Sequence, residues 1–244
     1  MAIPDLPSLR RKVLTAAPRA AVLWRPSGAF FAVAQRPLWA LMLVVAGAFS
    51  LLPPLTFLAR ADVVEVTTKQ LKKSGRWEQM PAEQRELALE AAPKAMAVFL
   101  PLGAVAKRES WIGALAVLSF VVLRGARPTL RLGVLLAAAA LGTAPLFIHD
   151  VLTALSFVAL DINGLDAQNV VLSNVAAFLP AEQAETPWGI FLRGLDFFEL
   201  WSCGLVGYGL AAVAGGRSRL PYALAFGGHA VFTLIPALVA FSRG

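Results

Sequence analysis

Apolar residues in this chain gather into long runs and do not alternate with polar ones. Residues 38–58, 103–123, 132–148, 194–214 and 221–241 are five such runs. A helix crosses a bilayer with about 20 mostly apolar residues. The expectation is an all-α fold: a polytopic transmembrane helical bundle of about five spans. Arg36, Pro37 and Trp39 mark the start of the first run, where an amphipathic indole ring suits the membrane interface. Pro53 and Pro54 are expected to kink its far end. The third run is rich in Ala, the fourth carries Gly204, Gly207 and Gly209, and the fifth carries Gly227, Gly228 and Pro236. Small residues of this kind let helix backbones approach closely in lipid.

The segments between the runs are polar, and their charges are unequal. Residues 1–37 contain Arg10, Arg11, Lys12, Arg19, Arg25 and Arg36, with Trp24 and Phe30–Phe31 near the end. They read as a basic cytoplasmic or interfacial segment. An apolar core of the kind found in cleavable signal peptides is missing there, so the first span is expected to stay as a signal anchor. Residues 59–94 form a polar loop bearing Lys69, Lys72, Lys73, Arg76, Glu78, Glu83, Arg85, Glu86 and Glu90. Within it, Pro81-Ala-Glu-Gln-Arg-Glu predicts the start of a short helix, with proline first and acids in the first turn. Residues 95–106 are apolar but too short to cross, and Lys107-Arg108-Glu109 follows. One span over 103–123 with the triplet snorkelling at an interface is the expectation, and a long tilted helix from Met96 is the rival. The 161–187 loop carries Asp161, Asp166, Glu182 and Glu185 but neither Lys nor Arg.

Orientation follows from these charges. The N-terminal segment, the 124–131 loop (Arg124, Arg127, Arg131) and the 215–220 turn (Arg217, Arg219) hold eleven of the 22 Lys and Arg, against the single acid Asp5. With five spans all three fall on one side, which the positive-inside rule makes cytoplasmic. The N-terminus is then inside and the C-terminus outside. The organisation is a basic segment, 1–37, followed by a helical membrane domain, 38–244.

Composition narrows the class further. Hydrophobic residues make up 58% of the 244 residues and charged ones 15%, with mean hydropathy +0.68. Soluble domains average about 25% charged residues. These values leave no room for a large soluble domain. A net charge of +7 would point to nucleic acid in a soluble protein. Here the charge flanks membrane spans, so anionic lipid is the expected partner and nucleic acid is not. Cys203 is the only cysteine, which excludes intrachain disulfides and multi-cysteine metal sites.

Ionisable residues at membrane depth are the candidates for chemistry, because they are costly there and normally face a partner, a cavity or the bundle interior. Arg193, Asp196 and Glu199 recur at three-residue spacing, as along one side of a helix. They would form an ion-sensitive site or a partner contact, or only the amphipathic start of the fourth span bracketed by Trp188 and Trp201. His149-Asp150 has the composition of a proton relay. Adjacent residues on a helix do not face each other, however, and a helix end at the external interface explains the pair as well. His229 lies mid-way along the fifth run, where a hydrogen bond to another helix is the expected role. The triplet at Lys107 would serve as a headgroup site or as interfacial snorkelling. The chain contains no H-E-x-x-H, G-x-S-x-G or P-loop sequence, so zinc protease, serine hydrolase and P-loop nucleotide chemistry are not expected. No metal or cofactor is expected either.

The segment Leu195-Asp196-Phe197-Phe198-Glu199-Leu200-Trp201, followed by Gly204, Gly207, Tyr208, Gly209 and the basic turn at Arg217, resembles the bacterial branch of the Yip family, named for Ypt/Rab-interacting proteins. Leu195, Asp196, Phe198, Trp201 and Gly209 carry the likeness, and the basic loop before the third run and Ala144-Pro145 within it fit the same pattern. The resemblance implies a five-span membrane domain with a polar first external loop, in a bacterial inner membrane. The D-L-Y-G-P motif of eukaryotic members is absent here, so Rab GTPase binding is not among the expectations. The function expected is non-enzymatic: a membrane-organising scaffold with a membrane-protein partner or a second copy of itself. The alternative is a transporter of a small solute, ion or lipid, with Arg193, Asp196, Glu199, Asp150 and His229 lining its path. An intramembrane hydrolase ranks last.

Overall fold

A computed structural model describes residues 21–73, 75–125, 127–162, 170–184, 186–215 and 218–242. Asp5, Arg10, Arg11, Lys12, Arg19, Asp166, Glu185 and Arg217, which enter the charge argument, lie outside the described residues. Every regular element among the described residues is helical. In chain order these are α1 (Pro26–Gln35), α2 (Trp39–Ser50), α3 (Leu52–Arg60), α4 (Val63–Lys73), α5 (Arg76–Gln79), α6 (Ala82–Arg124), α7 (Leu132–Gly142), α8 (Ala144–Ala159), a 3-10 turn (Val175–Phe178), α9 (Ala181–Ala184), α10 (Pro187–Arg193), α11 (Phe197–Val213) and α12 (Leu220–Phe241).

Three stretches have the length and apolarity to cross a membrane: Trp39–Arg60 (α2 with α3), α6 and α12. The pair α7 and α8, bent by 41°, raises the number to four if it acts as one broken span, and α11 is a shorter apolar helix. Large apolar side chains stand exposed along these helices, among them Phe99, Leu102, Val121, Leu155, Val231 and Leu238. In water such a surface would drive aggregation. Hydrocarbon accepts it, and helices satisfy their backbone groups internally as lipid requires. The chain is a helical integral membrane protein.

The helix boundaries differ from the sequence expectation in three places, each for an identifiable reason. Residues 82–124 form one helix of 43 residues, not a short loop helix and a separate span. Pro93 and Pro101 lie inside it. Each proline removes only one backbone donor, and the Ala, Leu, Glu and Met around them are strong helix formers. At 1.5 Å per residue the helix is about 65 Å long, roughly twice the hydrocarbon core of a bilayer. The third run extends past residue 148 through α8, so His149 and Asp150 lie inside a helix and not at its end. The bend falls at Thr143, whose hydroxyl donates to Ala140 O at 2.7 Å just before Pro145. The fourth run starts later than expected. The chain leaves helical geometry between Arg193 and Phe197, so Arg193, Asp196 and Glu199 do not share one helix face.

The chain divides into two compact units, each with its own core. One comprises residues 1–46, 109–148 and 173–244. Its core holds Phe30, Val33, Ile112, Leu115, Leu135, Val206 and Leu210, with Ala137 to Ala140 of α7 all buried. Apolar burial gives little drive between helices already in lipid, so close van der Waals packing must supply it. Gly142 shows this directly: a Cβ there would stand 2.7 Å from the Val206 Cα. Ser202 Oγ donates to the Gly142 carbonyl at 3.3 Å along the same α7–α11 contact.

The other unit comprises residues 47–108 and 149–172. Phe57 meets Phe157 edge to face at 5.5 Å, with Ile162 beside them and Ala61, Val66 and Val170 around. Trp77 lies between Lys72 and Arg85, whose charged ends sit 5.5 and 5.1 Å from its rings. Such cation–π contacts stabilise exposed sites by about 0.5–1 kcal/mol.

Candidate functional site

The residues around the α10–α11 turn are set by helix-end chemistry. Thr186 caps α10, its hydroxyl oxygen accepting from Gly189 N at 3.1 Å, and Pro187 occupies the first helical position. The helix closes with Gly194 N donating to Phe191 O and Leu195 N donating to Leu192 O. Asp196 then caps α11. Its Oδ1 accepts from Phe198 N at 2.8 Å and Glu199 N at 3.2 Å, satisfying two of the helix's open donors. Its Oδ2 accepts from the Ser173 hydroxyl.

The same turn is held by backbone. Phe197 N donates to Ser173 O at 2.8 Å and Val175 N donates to Leu195 O at 3.3 Å, an antiparallel bridge between Asn174 and Asp196. Asn174 in turn caps the 3-10 turn through Ala177 N. Asp196 is thus buried but fully engaged.

His229, on α12, reaches this corner. Its Nε2 lies 2.8 Å from Gly194 O and its Nδ1 lies 3.2 Å from Glu199 Oε2. The Trp111 ring of α6 and the imidazole meet T-shaped at 6.2 Å, and Trp111 packs on Phe232 at 6.0 Å. The histidine is 5% exposed, whereas the Glu199 side chain is 34% exposed, so one end of the contact is dry and the other is reachable. A side chain at Gly194 would run into Thr233 of α12, so this position needs glycine for the close approach.

Of the five candidates, the structure brings Glu199 and His229 into contact. Asp196 sits in the adjoining turn, occupied by Ser173 and by the start of α11. Arg193 ends α10 and donates to Ala184 O at 3.3 Å. Asp150 belongs to the other unit, where Arg108 Nη2 contacts both of its oxygens at 2.9 and 3.2 Å. That pair is nearly closed off, with 11% and 8% of the two side chains exposed. The headgroup and snorkelling readings of Lys107-Arg108-Glu109 both left this partner unnamed, because 42 residues separate it from Arg108 and no periodicity joins them. Ser173, Asn174 and the Gly194 carbonyl were likewise invisible, since a loop serine and a backbone oxygen carry no sequence signal.

Aromatic and glycine residues of the 195–209 segment have packing roles. Trp201 lies 5.7 Å from Phe197, ring to ring, and Phe197 meets Phe198 at 5.3 Å. Gly209 faces the Phe30 ring, which a Cβ would overlap. Cys203 is buried in the core that also holds Phe30. Among the described residues no group of three or more His, Cys, Asp and Glu is placed to hold a metal ion. Compared with protein-family models, with curated proteins and with solved structures, the chain matches none.

Proposed function

We propose that this chain is a five-span, Yip-type integral membrane protein that acts without catalysis, as a membrane-organising scaffold for a membrane-protein partner or for further copies of itself. In this reading the N-terminus and the basic turns face the cytoplasm, the C-terminus faces outward, and anionic lipids of a bacterial inner membrane flank the spans. The observation that carries it is Asp196. The one acid of the Leu195–Trp201 segment that is buried is consumed by a helix cap, a serine and a backbone bridge. Its chemistry is spent on shaping the bundle. The glycines that admit Val206 and Phe30 serve the same end.

A second reading, transport of a small solute, ion or lipid, is favoured by the contact between buried His229 and partly exposed Glu199. Purified protein in vesicles of phosphatidylethanolamine and phosphatidylglycerol separates the two. The scaffold reading expects no dissipation of an imposed pH gradient beyond that of empty vesicles. Dissipation that disappears in His229→Phe or Glu199→Gln would replace it with the transport reading.

A further inference from the structure

The hydrogen-bonding capacity of His229 leads to a site that helix packing does not require. Its Nε2 lies 2.8 Å from the carbonyl oxygen of Gly194. A carbonyl only accepts, so Nε2 carries hydrogen. Neutral imidazole holds one N–H, which would leave the Nδ1 lone pair turned toward a carboxylate oxygen 3.2 Å away. Two electron pairs at that distance, with the histidine 5% exposed, repel each other where water screens little. A proton on either atom removes the repulsion.

We infer that His229 and Glu199 hold one proton between them and form a proton-binding site at the junction of α10, α11 and α12. The proton resides on Nδ1, giving imidazolium and carboxylate, or on Oε2, giving neutral imidazole and carboxylic acid. In both states the pair carries one proton more than neutral histidine with ionised glutamate. No bond other than this N–H or O–H forms, and the proton comes from and returns to water through the partly exposed Glu199 carboxylate.

The surroundings fit the assignment. On α10 the charged residue is Arg193, whose guanidinium reaches Ala184 O. In the following turn Asp196 is engaged by Ser173 and two backbone amides. On α11 the group is Glu199 itself. On α6 the contact is the Trp111 ring, and the nearest charged residue to it in sequence is Glu109. Loss of the proton sets like electron pairs together and is relieved by parting α12 from the α10–α11 turn. Proton occupancy and helix packing are therefore coupled here. The site stands whether the chain is a scaffold or a transporter.

The test counts protons. Protein with ¹⁵N-labelled histidine rings is placed in nanodiscs at pH 7, and His229 is assigned by loss of its signals in His229→Gln. One expected result is two ring N–H groups on His229. The other is one ring N–H accompanied by a carboxylic-acid infrared band that vanishes in Glu199→Gln. In Glu199→Gln the histidine is expected to show a single N–H at the same pH, because an amide can donate to Nδ1. Neutral His229 together with ionised Glu199 in the unsubstituted protein overturns the inference. Should the glutamine variant fail to fold, the spectra of the unsubstituted protein decide alone.

Discussion

Removing one half of the Arg108–Asp150 pair is expected to be far more damaging than removing both. Arg108 Nη2 meets both carboxylate oxygens at 2.9 and 3.2 Å, and the side chains are only 11% and 8% exposed. Asp150→Ala strands a guanidinium in a nearly dry setting, and Arg108→Ala strands a carboxylate. Breaking a buried pair in this way costs about 3–5 kcal/mol, which shifts the folding equilibrium by about 100- to 4,000-fold. Replacing both partners by apolar residues of similar volume is neutral or stabilising in many buried pairs. The pair here leans toward the stabilising side, because Arg108 Nη1 is buried and finds no hydrogen-bond partner among the described residues. The double replacement Arg108→Met with Asp150→Leu is therefore expected to recover all or most of the stability lost in either single variant. Reversible unfolding of the four proteins in bicelles, followed by steric trapping, measures each value. A double variant as unstable as the worse single, or a single variant within about 1 kcal/mol of the unsubstituted protein, would refute the reasoning, since surface pairs contribute at most that much.

Asp196→Ala should destabilise α11 by about 1–2 kcal/mol through loss of the cap. Asn retains an accepting oxygen, so Asp196→Asn should lose less, as read by thermal unfolding of the two variants side by side. Gly209→Leu should disrupt packing against Phe30 by at least the 1–3 kcal/mol typical of overpacking, whereas Gly204→Ala should be neutral or stabilising by about 0.5–1 kcal/mol, because nothing lies within 4 Å of an added Cβ there. Phe57→Ala should cost about 3–5 kcal/mol and expose amides of residues 52–66 to hydrogen exchange, because the Phe57–Phe157 contact anchors a small core.

Apolar run length made the membrane class legible, because hydropathy is additive along a helix and needs no tertiary context. It also located the first and last apolar runs closely: α2 with α3 and α12 overlap the expected ranges almost throughout. Run length misplaced the boundaries wherever a single polar group decides them. The break before α11 depends on Asp196 finding Ser173 and two amides, and the continuation through Asp150 depends on a partner on α6. Both are long-range satisfactions of a buried charge, and local pattern does not encode them. Pro93 and Pro101 lie inside one continuous helix because the residues around them favour it. Within the site, His229 was legible as a mid-helix polar residue, and its link to Glu199 follows from proximity that only packing creates.

Photocrosslinking in native membranes tests the scaffold reading most directly, with a photoreactive residue at Phe226 or Leu238 on the exposed side of α12. The expected result is a protein adduct of one reproducible size, either a second copy of the chain or one distinct membrane protein. Adducts with lipid alone at both positions, together with vesicle flux that depends on His229, would contradict the account.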